Sequence, residues 1–434
     1  MAPSGESPPP AITGNTSPAP RRPVVVVGGG VVGAACAHYL AVAGAPVLLI
    51  DKGDFGQGCS HGNCGYVSPS HILPLCRPGA VSSALRTFFR RNSPFQMRFR
   101  LDPAFWSWMW QFARRCNQID MLQAGHARHS LLQSSRQLFD ELLSEKVLED
   151  IDWEAKGLLF VHQTRSHFEH YGETNELLTK EFGVGATPIR EAELLEMEPA
   201  LKPGVAGAWL YDCDAHLRSD KLMEAWQKRL VHDGVSIREN CELISLEEGD
   251  GAISAVNTTA GRIEVDQVVV ATGAWTRLLS RQLRARIPIE PGKGYSITMR
   301  RPALCPTYPM IFEEHRVAVT PFASGYRIGS TMEFAGFDPT LRRDRLSLLT
   351  DAAAKYLHEP MAEPVLESWY GWRPMSCDGV PLIGRVPSFR NAWMAAGHSM
   401  LGVSMSTGTG KLISELVTGK HPHIDPHPYR VDRF

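Results

Sequence analysis

Four consecutive valines, Val24 to Val27, run into Gly28-x-Gly30-x-x-Gly33, and this junction narrows the possible folds more than any other stretch of the chain. An unbroken β-branched run reads as a strand buried on both faces, as in a parallel sheet. The three glycines then permit, in order, a tight turn, close approach of backbone to a pyrophosphate, and close packing of a helix on the strand. Val32 sits between the second and third of them, at the helix start. The helix through AACAHYLAVAG stops at Gly44, and the next strand, Pro46 to Ile50, delivers Asp51 with Lys52 beside it. An acid at that point can accept hydrogen bonds from the ribose hydroxyls of adenosine. A Gly-x-Gly-x-x-Gly alone marks a turn in many loops. Strand, glycines, helix, strand and acid in register mark a Rossmann-type α/β dinucleotide site, with NAD and FAD both open.

The same stretch has a rival reading. Pro23 to Ile50 is long, nearly uncharged and preceded by Arg21 and Arg22, as a membrane span or a twin-arginine signal would be. GGGVVG in its middle would break a membrane helix into two short pieces, whereas strand, turn and helix need that pattern. The first 22 residues are rich in Pro, Ser and Gly and lack an apolar signal core, so they read as a disordered tail. At 434 residues the chain exceeds one compact core, and two domains are expected. A net charge of -1 lacks the basic excess that nucleic acid binding requires. The 9 cysteines include no CxxC pair, which points to reduced thiols in a cytoplasmic compartment and to no metal site.

Later segments bear on the choice of cofactor. KGDFGQGCSHGNCGYVSPSHILP follows the acid, with Ser60, Asn63 and Gly65 suited to wrapping a second, larger planar group. DQVVVATG reads as a strand ending in Thr272-Gly273, a turn whose backbone can close over the nucleotide. Each segment is equally readable as an ordinary βα turn. Near the C-terminus, GHSMLG and Ser406 to Gly410 read as a glycine-rich loop leading into a C-terminal helix with the apolar-periodic KLISELVTG.

With these segments, and with WSWMWQFARRC, PGKGYSITM and WYGWRPMSCDGVPLIGR, the chain resembles the D-amino acid oxidase-type FAD-dependent oxidoreductases, and among them the bacterial D-amino acid dehydrogenases. The resemblance spans nearly everything after residue 22. It implies an α/β fold: a Rossmann-type, glutathione reductase-like FAD domain with an inserted α+β substrate domain holding a mixed, largely antiparallel sheet. On that pattern the FAD domain takes 23–95, 205–285 and 368–434, and the substrate domain 96–204 and 286–367. The helix-prone run Gln123 to Glu149 and the turn-punctuated apolar segments from Ile287 to Met332 agree with an inserted domain of helices and antiparallel strands.

The resemblance also assigns chemistry. Arg373, in Gly-Trp-Arg-Pro, falls where related amine oxidases bind the substrate carboxylate, a role suited to a planar fork that stays charged. Taken from the residues alone, Arg373 reads as well as a brace paired with Asp378. Gly402, Thr407 and Gly408 are expected to contact the isoalloxazine, where a helix N-terminus would stabilise the negative charge of reduced flavin. His398 beside them tunes the flavin, hydrogen-bonds substrate, or is a satisfied structural histidine. Tyr295 orients substrate or is a half-buried strand tyrosine. His216 belongs to the entry of a helix capped by Ser219 or Asp220. Relatives that attach flavin through a histidine carry it at the place of Asn63, with His61 two residues off, and the family's cysteinyl linkage lies toward the C-terminus, where SMSTGTGK holds no cysteine, so noncovalent FAD is implied.

The implied reaction is hydride transfer from Cα of an amino acid to flavin N5, then hydrolysis of the imino acid to a 2-oxo acid and ammonia, with no obligatory general base. The implied acceptor is a quinone or another respiratory carrier. Phe105 to Arg115, aromatic and then basic, reads either as contact with a bilayer interface, peripheral on the inner face of the cytoplasmic membrane, or as a helix packed in the substrate domain. Two other functions fit the residues: a dehydrogenase or oxidase of a secondary amine such as sarcosine, D-proline or a hydroxyproline, and a noncatalytic FAD-binding subunit. Oligomers and larger complexes both remain open.

Overall fold

A computed structural model describes residues 22–83 and 95–434. Val24–Val27 is a fully buried strand, paired in parallel with Gln267–Val270 on one side and Val47–Ile50 on the other. Its central place in the sheet explains why it carries no polar side chain. The six-stranded sheet runs Leu382–Arg385, Ala392–Ala396, Gln267–Val270, Val24–Val27, Val47–Ile50, Ser236–Arg238, and only its first strand is antiparallel to its neighbour. Between Ser236–Arg238 and Gln267–Val270 the chain makes a separate three-stranded antiparallel meander.

Pro23 to Ile50 thus forms strand, helix and strand, not a span, and among the described residues no helix is long and apolar enough to cross a membrane. The helix Val31–Val42 lies on the last helix, Gly402–Thr418, where a Cβ on Gly410 would come within 2.6 Å of the Ala35 carbonyl. On its other side the last helix meets the long helix Gln118–Ser144, whose Leu131, Leu132 and Phe139 share one core with Val24, Val26 and Leu412.

The second layer is a nine-stranded mixed sheet. It is antiparallel except where Met310–Phe312 meets Leu158–His162 and Gly325–Phe334 meets Phe95–Met97. Its strands depart from three of the domain limits drawn from sequence, the first where Phe95–Met97 spans residues 95 and 96. Gly207–Tyr211 pairs with Leu158–His162, and Val365–Ser376 pairs along its whole length with Ile289–Met299, so hydrogen bonding carries both segments into this sheet. Of the expected tail only Arg22 is described, paired with Glu264 at 3.1 Å; the remainder lies outside the described residues.

Candidate active site

A cavity of about 480 Å³ opens at the carboxyl ends of three parallel strands, against Val27, Ile50 and Ala271. Ligands of open α/β sheets settle at that end because the turns leave helix N-termini pointing outward. Gly28 has φ +115°, and a Cβ there would lie 2.5 Å from the Ala271 carbonyl oxygen, so only glycine lets the two strand ends close up. Gly33 does not line the cavity; a Cβ on it would overlap the Gly28 carbonyl oxygen, so its work is to seat the helix on the turn. Gly30 is the helix N-cap and brings no side-chain cap, which leaves amide donors at the cavity wall beside Val32. One of them, Val31 N–H, donates to Ser60 Oγ at 3.0 Å.

Asp51 accepts from Gly29 N–H at 2.6 Å and Gly53 N–H at 2.8 Å, which fixes its carboxylate at the cavity edge. Lys52 holds its ammonium 4.0 Å from the Trp275 ring centre, and burial lowers its pKa. Thr272 and Gly273 form the facing wall, with Thr272 Oγ1 2.9 Å from Thr276 Oγ1.

At the other end the cavity meets Trp372, Arg373, His398, Met400 and Gly402. Arg373 lies on the strand Val365–Ser376 opposite Gly292, and its guanidinium covers Gly294, where any Cβ would collide with it. Its Nη1 donates to the Thr331 carbonyl at 2.6 Å. The rival partner Asp378 is taken: Arg433 Nε donates to its Oδ2 at 2.8 Å. Among the described residues no carboxylate pairs with Arg373, and burial lowers its pKa, opposed only by the nearby Cys59 and Cys64 thiols. A cation so placed costs several kcal/mol unless an anion joins it.

His398 Nε2 lies 2.9 Å from Thr409 Oγ1, and burial pushes its pKa down to about 3, so the ring is neutral and tied to the last helix while it lines the cavity. That helix starts at Gly402 with no side-chain cap and no acidic residue in its first turn, presenting bare amide N–H groups to the cavity.

Several expected contacts lie elsewhere. Ser406 to Gly410 is helix, not loop. Thr407 Oγ1 donates to the Ser135 carbonyl at 2.8 Å, and Gly408 abuts Leu131, so both face the long helix rather than the cavity. Tyr295 is buried and donates to Glu333 Oε2 at 2.7 Å; strand alternation puts it on the face away from Gly292, Gly294 and Arg373. A Cβ on Gly65 would overlap the Leu217 carbonyl, so it serves close backbone packing. Asn63 lines the cavity while its Oδ1 accepts Gly65 N–H at 2.8 Å. His61 is held by Glu367 at 2.9 Å, and His216 by the Pro321 carbonyl at 2.9 Å.

The helix after His216 begins at Ser219 without a side-chain cap. Ser219 instead donates to the carbonyls of His61 and Asn63, and Asp220 binds Arg218 and Arg327. Arg327, Trp275 and Trp372 are absent from the residues that sequence singles out. Trp372 stands next to Arg373 in Gly-Trp-Arg-Pro and was within reach; Arg327 sits in a strand with no motif around it.

The helix Pro103–Arg114 divides its aromatics. Phe105 and Trp108 are buried, with Trp108 Nε1 donating to the Met375 carbonyl at 2.9 Å, while Trp106 is 41% and Trp110 59% exposed. Just before it, Phe99 is 72% and Leu101 91% exposed.

Comparison with known proteins agrees with this geometry. The family model for FAD dependent oxidoreductases matches residues 23–416. The chain is 31% identical over 421 residues to a D-amino acid dehydrogenase of Granulibacter bethesdensis, covering 95% of this chain and 99% of the relative. It is 32% identical over 412 residues to one of Methylobacterium nodulans, covering 92% and 96%. Among solved structures, glycine oxidase from Geobacillus kaustophilus superposes with a TM-score of 0.76 at 24% identity, covering 95% of this chain and 98% of that one. L-proline dehydrogenase from P. horikoshii gives 0.68 at 21%, covering 94% and 97%.

Proposed function

This chain belongs to the FAD dependent oxidoreductase family, and from that premise we propose that it oxidises a D-amino acid to a 2-oxo acid and ammonia. The observation that carries the reading is Arg373: a cation with no acidic partner among the described residues, at the end of the cavity away from the pyrophosphate site. The cavity fits FAD along its length. Gly30 and Val32 offer amides to the pyrophosphate, Asp51 an acceptor for the ribose hydroxyls, Thr272 and Gly273 a backbone wall, and Gly402 a helix N-terminus for the ring. Asn63 in place of a histidine, and a His61 engaged by Glu367, support noncovalent binding.

When bound, FAD supplies the two-electron acceptor for the substrate's Cα–H bond. Arg373 grips the carboxylate with its free N–H groups and so fixes Cα; Trp372 and Met400 flank it with apolar surface that keeps water away. The amine loses its proton to solvent, and water hydrolyses the imino acid. Because the His398 ring is already neutral, it contributes no ionisation in the working range. The expected kcat/KM therefore rises with pH as the substrate ammonium deprotonates, and His398→Gln keeps the shape of that profile. A limb that moves in His398→Gln would make the histidine an acid–base group.

Two observations favour a respiratory acceptor reached at a bilayer. Trp106 and Trp110 share the solvent side of one helix, with Phe99 5.7 Å from Trp106, and Arg114 stands over Trp110 at 4.6 Å. Aromatic and basic groups together suit the headgroup region of an anionic membrane. The double variant Trp106→Ser, Trp110→Ser should lose most co-sedimentation with phosphatidylglycerol vesicles while keeping activity toward a soluble quinone analogue; equal sedimentation would remove the helix from that role.

A further inference from the structure

We propose that Arg327 is a positioning residue for the cofactor: it grips two carbonyls of the loop at His61 to Asn63 from the substrate sheet and thereby sets where Ser60 and Asn63 meet the flavin. The proposal rests on the FAD cavity, not on the choice of substrate.

Arg327 lies on the strand Gly325–Phe334 and is fully buried. Its Nη1 donates to the Asn63 carbonyl at 2.6 Å, the His61 carbonyl at 3.1 Å and Ser219 Oγ at 2.9 Å. Nε donates to Thr298 Oγ1 at 2.8 Å, and Nη2 to Asp220 Oδ1 at 3.1 Å. Ser219 Oγ meets the same two carbonyls at 2.8 and 2.9 Å, so each is held from two sides. Asp220 is itself fixed by Arg218. Burying a guanidinium and a carboxylate is a poor route to stability, since well-packed apolar residues usually serve as well. What this group adds is geometric, a rigid fork that sets the orientation of two peptide planes.

A trans peptide is planar, and its C=O and N–H point in opposite directions. With the His61 and Asn63 carbonyls tied to Arg327, the N–H groups of Gly62 and Cys64 point away from its guanidinium, and the loop so held brings Ser60 and Asn63 to the cavity wall. The alternate amides of the loop are spent locally: His61 N–H on Gly58, Asn63 N–H on Ser60, and Gly65 N–H on Asn63 Oδ1. Among the described residues the Gly62 and Cys64 amides have no protein acceptor. Trp369 lies over Gly62, where a Cβ would strike its ring, and holds the loop from another side. A wall of the cofactor site held this rigidly keeps its dipoles fixed while the ring gains charge.

The test uses the FAD-loaded protein and reads the bound flavin itself. Arg327→Lys keeps the charge but not the fork. It is expected to bind FAD with a weaker dissociation constant, to show a more negative reduction potential and an altered visible band, and to lower kcat by about ten- to a hundredfold with little change in KM. Ser219→Ala, which removes the second grip on the same carbonyls, should shift potential and spectrum in the same direction by less. If Arg327→Lys fails to fold, Ser219→Ala decides alone. A wild-type potential and spectrum in the folded variants, or a change in thermal stability only, would overturn the proposal.

Discussion

Arg373→Ala is expected to lower kcat/KM for amino acid substrates by roughly thirtyfold to several thousandfold while FAD stays bound at full stoichiometry. Truncating one partner of a buried, hydrogen-bonded charge pair costs about 2–5 kcal/mol, and each 1.4 kcal/mol is tenfold. The guanidinium serves the substrate rather than the fold: its one strong contact within the protein is to the Thr331 carbonyl, and Asp378 is satisfied by Arg433. Arg373→Met, apolar and of similar length, should therefore leave the melting temperature equal or higher, because a half-buried cation without a carboxylate partner has been removed. Arg373→Lys should recover part of the activity through its charge and less through geometry, since it lacks the fork. Steady-state kinetics, the flavin-to-protein ratio and a thermal melt check all three. Unchanged kinetics would take Arg373 out of the substrate site, and a melt that collapses would return it to a bracing role.

Gly33→Ala should abolish FAD binding. A Cβ there would overlap the Gly28 carbonyl oxygen, and both sides of that clash are backbone, with no flexible side chain to give way. The helix Val31–Val42 would have to retreat from the turn, carrying its bare N-terminus off the pyrophosphate position. The purified variant is expected colourless or largely insoluble. Gly172→Ala, on the outer helix Arg165–Phe182 with nothing nearer than 3.7 Å, should keep its colour and be neutral or slightly stabilised. A yellow, stoichiometrically loaded Gly33→Ala would contradict the role assigned to that helix.

The nucleotide unit was legible because each of its residues meets one local geometric demand. Gly28 takes a positive φ, Gly33 allows a close contact, and Asp51 ends a strand. Glycines at 408 and 410 defeated the same logic. Glycine in sequence reads as loop, yet here it thins a helix so that Leu131 and Ala35 can approach. Tyr295 stayed open between substrate and strand in the sequence, since a shift of one residue exchanges the faces of a sheet and nothing local sets that register. Arg327 was beyond reach altogether: its closest partner, the Asn63 carbonyl, is 264 residues away along the chain, and a strand arginine carries no motif. Arg373 lay between these cases. Resemblance drew attention to it, but only the Asp378–Arg433 pair on the folded chain separates substrate binding from bracing.

Anaerobic mixing of the FAD-loaded protein with a panel of D-amino acids, their L-enantiomers, glycine derivatives and cyclic imino acids tests the proposed chemistry most directly. Neutral D-amino acids are expected to bleach the visible flavin band within seconds, L-enantiomers far more slowly, and the matching carboxylic acids without an amine not at all. Preferential bleaching by sarcosine or D-proline would move the substrate class to secondary amines. Failure of every amine in the panel to reduce the flavin would contradict amino acid oxidation by this chain.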